Sequence, residues 1–83
     1  MHNEYKLEVR ARCPLHSNLT DVYLFIIRSD HIIMCETIKA FFAKHAGKNK
    51  VFQEDLTKLA AVTLGAKVRS EGLHDGVLIV CEC

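Results

Sequence analysis

An α+β fold in the order ββααββ, an antiparallel four-stranded sheet with two helices on one face, is what this sequence predicts. Three observations carry that reading. Residues 5–13 alternate apolar and polar side chains. Residues 34–64 repeat apolar residues at helical spacing, in two runs that each end at a glycine. The chain then returns to two β-rich runs separated by His74-Asp75-Gly76.

In the first run Tyr5, Leu7, Val9, Ala11 and Cys13 point one way, and Lys6, Glu8, Arg10 and Arg12 the other. A period of two over this length is a strand with one buried face. A polar loop follows over residues 14–21, centred on His16-Ser17-Asn18. Residues 22–27 are apolar on both faces and rich in β-formers. They predict a second strand, antiparallel to the first and more deeply buried. From about Met34, the residues Cys35, Ile38, Phe41, Phe42 and His45 fall on one helical stripe, with Gly47 as a left-handed stop. Lys48-Asn49-Lys50 reads as an exposed turn. A second helix is expected over residues 53–64, buried through Leu56, Leu59, Ala60 and Thr63 and stopped by Gly65. Strands over 66–71 and 77–83 close the chain around a hairpin turn at His74-Asp75-Gly76.

The 83 residues predict a single domain over 1–83. A domain of this size has a marginal core, so self-association into a homo-oligomer is expected. Apolar residues make up 49% and charged residues 25%, ordinary values for a globular chain. The formal charge of +1 offers no strong electrostatic case for nucleic acid. The apolar run at 22–27 is too short to span a bilayer, and the N-terminal residues lack the pattern of a signal peptide. A cytoplasmic protein with no membrane partner is expected. The four cysteines, Cys13, Cys35, Cys81 and Cys83, are then expected as free thiols.

Three places could carry chemistry. Cys13 precedes Pro14, which cannot continue a ladder, so the sulfur stands where the chain leaves the sheet. Nearby Arg10 and Arg12 would favour its thiolate; the plainer role is packing at the end of the buried face. Asp21 flanks the same loop and could deliver a proton beside a thiolate, or simply bond a loop N–H. Glu54, with Gln53 before it, opens the second helix, where an acid suits the macrodipole. It could equally accept two N–H bonds from a purine-type amidine edge. No metal site is expected. Cys13-Pro14-Leu15-His16 and Cys81-Glu82-Cys83 have ligand-like residues, but they lie at opposite ends of the chain. C-x-C in a strand is also an unusual structural-zinc spacing.

Taken together these places resemble a known family. Cys13-Pro14-Leu15 followed by Asp21 is similar to the Cys-Pro…Asp loop of the 7-cyano-7-deazaguanine (nitrile) reductases. Glu36-Thr37-Ile38-Lys39 and Val51-Phe52-Gln53-Glu54-Asp55-Leu56 resemble two further segments of it, Ser-Leu-Lys and Phe-His-Glu-Asp. The ββααββ order matches the tunnelling fold of that family. The resemblance implies that Cys13 attacks a nitrile to form a thioimide, that Asp21 handles the proton, and that Glu54, with Gln53, binds a deazapurine. It also implies rings of subunits stacked into a barrel.

The departures select among branches. Gln53 stands where the family has a histidine, and the Cys-to-Asp loop is one residue longer. Met34-Cys35-Glu36 stands where the reductases place residues that help bind NADPH, and His74-Asp75-Gly76 replaces an Arg-Gly-Gly feature. The chain is therefore more similar to the short, NADPH-independent, archaeosine-forming amidine synthases. That implies an enzyme without a cofactor, in which ammonia attacks the thioimide to give a formamidine on a deazaguanine in tRNA or DNA. An NADPH-dependent nitrile reductase making the aminomethyl deazaguanine, and a non-catalytic binding or assembly protein, are the alternatives, with the deazapurine base free or in tRNA or DNA.

Overall fold

Period-two and period-3.6 patterning place six elements along the chain: β1 (Asn3–Arg12), β2 (Thr20–Ser29), α1 (Cys35–His45), α2 (Gln53–Leu64), β3 (Lys67–His74) and β4 (Val77–Glu82). The structure, a computed structural model, describes residues 2–15, 19–47 and 49–83. The expected loop centre His16, Ser17 and Asn18, and Lys48 of the expected turn, lie outside the described residues. The strands form one antiparallel sheet in the order β1-β2-β3-β4. No described helix is long and apolar enough to cross a membrane.

The core lies between the helices and one face of β1, β2 and β3. Val9, Ala11, Tyr23, Phe25, Ile27 and Val68 come from the strands, and Ile38, Phe41, Phe42, Leu56, Ala60 and Leu64 from the helices. Phe25 is fully buried and packs its ring 4.7 Å from that of Phe42. Phe42 in turn meets Phe41 edge-on at 5.0 Å, a favourable aromatic geometry.

Several sequence expectations change. β2 is buried on one face only: Tyr23, Phe25, Ile27 and Ser29 face the helices, while Val22 and Leu24 are exposed. A continuous apolar run hides this alternation. The outer sheet face is correspondingly part charged and part apolar. Cross-strand register groups Val22, Leu24, Leu73, Leu78 and Val80 there, beside the charged row of β1. Finally, α2 is rotated from its expected stripe. It buries Gln53, Leu56, Thr57, Ala60 and Leu64, and leaves Leu59 and Thr63 exposed.

The rotation has a polar cause. Gln53 Nε2 donates to Ser70 O at 3.3 Å, Ser70 Oγ at 3.1 Å and Ile79 O at 3.1 Å. Thr57 Oγ1 donates to Gln53 O at 2.7 Å and lies 2.6 Å from Ser70 Oγ. Among the described residues, every buried side-chain nitrogen and oxygen has a partner. In α1 the expected end members Cys35 and His45 are not core residues; Ile38, Phe41 and Phe42 are.

β3 runs to His74, three residues beyond the expected end, because its turn has only two residues. His74 pairs with Val77, and Asp75 and Gly76 both have positive φ (53° and 80°). That is the geometry Asp-Gly accommodates in a tight hairpin. The link between the helices runs along β1: Arg12 N donates to Asn49 O at 3.2 Å and Val51 N to Arg12 O at 3.2 Å. This places the start of α2 beside the end of β1.

Gln53→Ala is expected to leave Ser70 and Ile79 groups unpaired in the core and to cost about 1–3 kcal/mol. Urea denaturation monitored by circular dichroism measures it, and Lys58→Ala on the exposed face of α2 should change little.

Candidate active site

The β1–β2 hairpin register decides which side chains meet. Ala11 pairs with Asp21 and Arg12 with Thr20, and Cys13 N donates to Leu19 O at 3.3 Å. Cys13 and Asp21 thus face the helices from neighbouring strands. Arg10 and Arg12 face the opposite way and are exposed, so they do not flank the Cys13 sulfur as the sequence suggested. The strand alternation itself separates them.

Cys13 is 4% exposed. It lies at the back of a cleft of about 220 Å³ lined by Pro14, Leu15, Asp21, Tyr23, Phe52, Gln53, Glu54, His74, Ile79 and Cys81, among others. The structure therefore brings the four sequence candidates, Cys13, Asp21, Gln53 and Glu54, to one place. They do not occupy equivalent positions in it. Glu54 is exposed at the mouth, whereas Gln53 is buried and its amide nitrogen is spent on Ser70 and Ile79. Only the Gln53 carbonyl oxygen remains for other partners. A larger depression of about 520 Å³ lies around Arg28, Asp30, His31 and Lys67, and it contains no thiol.

Two residues here, Tyr23 and His74, were not singled out by sequence, and Cys81, weighed there only as a metal ligand, also lines the cleft. Tyr23 O–H donates to Asp21 Oδ2 at 3.2 Å. Burial first, then the Asp21 charge and that hydrogen bond, push the phenol well above its ordinary value, so it stays a donor. His74 enters because β3 is longer than expected: continuing the β2–β3 register from Tyr23↔Gly72 puts His74 opposite Asp21. Its Nδ1 lies 3.9 Å from Asp21 Oδ2. The donor atoms of Cys13, Asp21 and His74 all lie within 4.8 Å of one another. Cys81 lines the far wall. Its thiol pKa is raised, chiefly by burial, which keeps it neutral. The inward parity of Val68, Ser70 and Gly72 extends to His74, and that was the available signal.

Gly72 is a packing requirement of the site. A Cβ there would meet Tyr23 Cδ1 at 2.4 Å, so only glycine lets the Tyr23 ring lie over β3 and reach Asp21.

Fold and site define a tunnelling-fold chain whose cleft holds a cysteine and a carboxylate on adjacent strands. The crystal structure of the archaeosine synthase QueF-like in the apo form has this fold, with a TM-score of 0.80, covering 99% of this chain and 90% of that one. Sequence identity is 17%, and at that level the likeness is one of fold. The fold expected from the sequence resemblance is therefore the one present. No family model and no curated protein matches the chain.

Tyr23→Phe is expected to cost about 1 kcal/mol through the lost bond to Asp21. The wild-type phenol adds a flat contribution up to about pH 10, where folded and unfolded forms both keep the proton. Above that the unfolded chain ionises first, so stability falls as pH rises. Urea melts at pH 8 and pH 10.5 should show a smaller alkaline loss in Tyr23→Phe than in wild type. Gly72→Ala should destabilise the chain by about 1–3 kcal/mol in the same assay, because the Tyr23 ring must move.

Proposed function

We propose that this chain is an enzyme that joins Cys13 to the nitrile carbon of a 7-cyano-7-deazaguanine base and resolves the thioimide with ammonia. The product is a formamidine, the archaeosine-type base. The observation that carries the reading is the convergence of the Cys13 sulfur and the Asp21 carboxyl in one cleft with Glu54 at its mouth. The fold shared with an archaeosine synthase adds support.

In the first step Asp21 takes the Cys13 thiol proton, the thiolate adds to the nitrile carbon, and the electron pair released onto nitrogen takes that proton from Asp21. Ammonia then adds to the thioimide carbon. The C–S bond breaks, the thiolate leaves, and the proton count is restored through Asp21. The sum is nitrile plus ammonia giving amidine, with no change of oxidation state, so no cofactor is required. Glu54 accepts N–H bonds from the amidine edge of the base. Phe52 and Ile79, apolar and partly exposed at the cleft, offer it flat contact. At about 220 Å³ the cleft suits one base and not a drug-sized ligand.

The substrate base is held in tRNA or DNA, and copies of the chain assemble edge to edge into a ring or barrel that closes the open side of the cleft. β4 supports this assembly. It is an edge strand with apolar side chains exposed on both faces: Val77 62%, Leu78 59%, Ile79 38% and Val80 42%. Such an edge calls for a cover. A second reading, a non-catalytic deazapurine-binding protein, draws on one observation. The family histidine is replaced by Gln53, whose amide nitrogen is committed to the sheet.

Mixing the protein with 7-cyano-7-deazaguanine, free or in nucleic acid, should add the full mass of the base, or of the nucleic acid that carries it, to wild type and nothing to Cys13→Ala. Asp21→Asn should slow that addition by about 10²–10⁴-fold. Binding without any adduct would leave only the non-catalytic reading standing. Leu78→Lys with Val80→Lys should shift the chain toward smaller assemblies in light scattering after size-exclusion chromatography; an unchanged mass would remove β4 from the interface.

A further inference from the structure

We propose that Cys13, Asp21 and His74 form a three-ligand site for a thiophilic divalent cation of the zinc class, and that the bound cation masks the Cys13 sulfur. The donor set is one thiolate, one carboxylate and one imidazole from three adjacent strands, with the donor atoms all within 4.8 Å. Tetrahedral zinc with S, N and O ligands separates its donors by about 3.4–3.6 Å, given metal–ligand bonds of about 2.0–2.3 Å. A contraction of about 1.2 Å or less is needed. His74 can supply much of it, because its side chain is 42% exposed whereas that of Asp21 is 16% exposed.

Two further observations favour a cation. The 3.9 Å between Asp21 Oδ2 and His74 Nδ1, the reach of a long ion pair rather than of a hydrogen bond, is also close to the donor spacing that a tetrahedral cation requires. Asp21 Oδ2, the oxygen nearest His74, also accepts from the Tyr23 hydroxyl at 3.2 Å, the kind of outer partner that carboxylate ligands commonly have, and this orients the carboxylate in the cleft. The fourth coordination position opens onto the cleft. Three protein ligands and one open position is the pattern of reactive zinc sites, and sulfur with imidazole selects against magnesium and calcium. The donors differ from the Cys13, His16, Cys81 and Cys83 considered from sequence. Cys81 lines the same cleft but is not among the donor atoms that converge, Cys83 lies at the end of β4 beside Val68, and His16 lies outside the described residues.

Binding replaces the Cys13 thiol proton, which passes to water, and commits the sulfur lone pair to the metal. A thiolate so held cannot add to a nitrile or react with an alkylating agent. The metal site stands without the amidine-forming reading; only its consequence for that reaction rests on it.

The test uses metal-free protein with the exposed Cys35 and Cys83 changed to serine. Titration with Co²⁺ should give one equivalent of bound metal, a near-ultraviolet thiolate charge-transfer band and intense visible bands, all displaced by Zn²⁺. Cys13→Ser should abolish the charge-transfer band. His74→Gln and Asp21→Asn should each weaken binding at least about 10-fold, with unchanged circular dichroism. Cys81→Ser should bind as the parent does. Zn²⁺ should also block iodoacetamide labelling of Cys13, and a chelator should restore it. No charge-transfer band on the parent, or unchanged affinity in both His74→Gln and Asp21→Asn, would overturn the site. Adduct formation with the nitrile in the presence of chelator is scored separately, so loss of either idea leaves the other measurable.

Discussion

The buried amide of Gln53 is the interaction on which the arrangement of this small protein most depends. One NH₂ group joins α2 to β3 through Ser70 and to β4 through Ile79. The backbone carbonyl of Gln53 accepts from the Thr57 hydroxyl one turn later. A polar cluster in a core is costly unless every member is satisfied, and here every member is. The result fixes the rotation of α2 about its axis. Glu54, the next residue, is thereby turned outward to the cleft mouth.

A second constraint comes from the opposite side. The β1–β2 register puts Cys13 and Asp21 on the helix-facing side, and the two-residue turn at Asp75-Gly76 lets β3 reach far enough to bring His74 alongside. The cleft is the gap left between these strand ends and the first turn of α2. Its walls are held by hydrogen bonds at Tyr23 and Gln53 and by the absence of a side chain at Gly72. The thiol is buried enough to be protected and still opens onto a space of about 220 Å³. Both proposals, nucleophilic attack by the free sulfur and coordination of a cation, draw on this one set of strand ends.

The sheet is larger than its two short helices can cover. α1 and α2 have 11 and 12 residues, and β4 remains apolar and open on both faces. A chain this short cannot bury such a strand against itself. The same shortage explains why the cleft has an open side.

The period-two alternation of β1, the helical spacing of α1 and α2, the Asp-Gly turn and the order ββααββ were all legible in the sequence, because local geometry alone writes those patterns. Cys13, Asp21 and Glu54 were legible as candidates through their spacing in a family-like order. What the sequence could not carry is relative placement. Whether β2 is buried on one face or two depends on what covers it, and residues 22–27 read the same either way. The rotation of α2 depends on Ser70 and Ile79, which lie 17 and 26 residues along the chain from Gln53. The side on which Arg10 and Arg12 stand relative to Cys13 is fixed by the sheet. His74 joins the site only because β3 continues through Gly72, and that glycine is tolerated within the strand because Tyr23 fills the space above it. Local pattern determined the elements; long-range hydrogen bonds and cross-strand register decided which of their side chains meet.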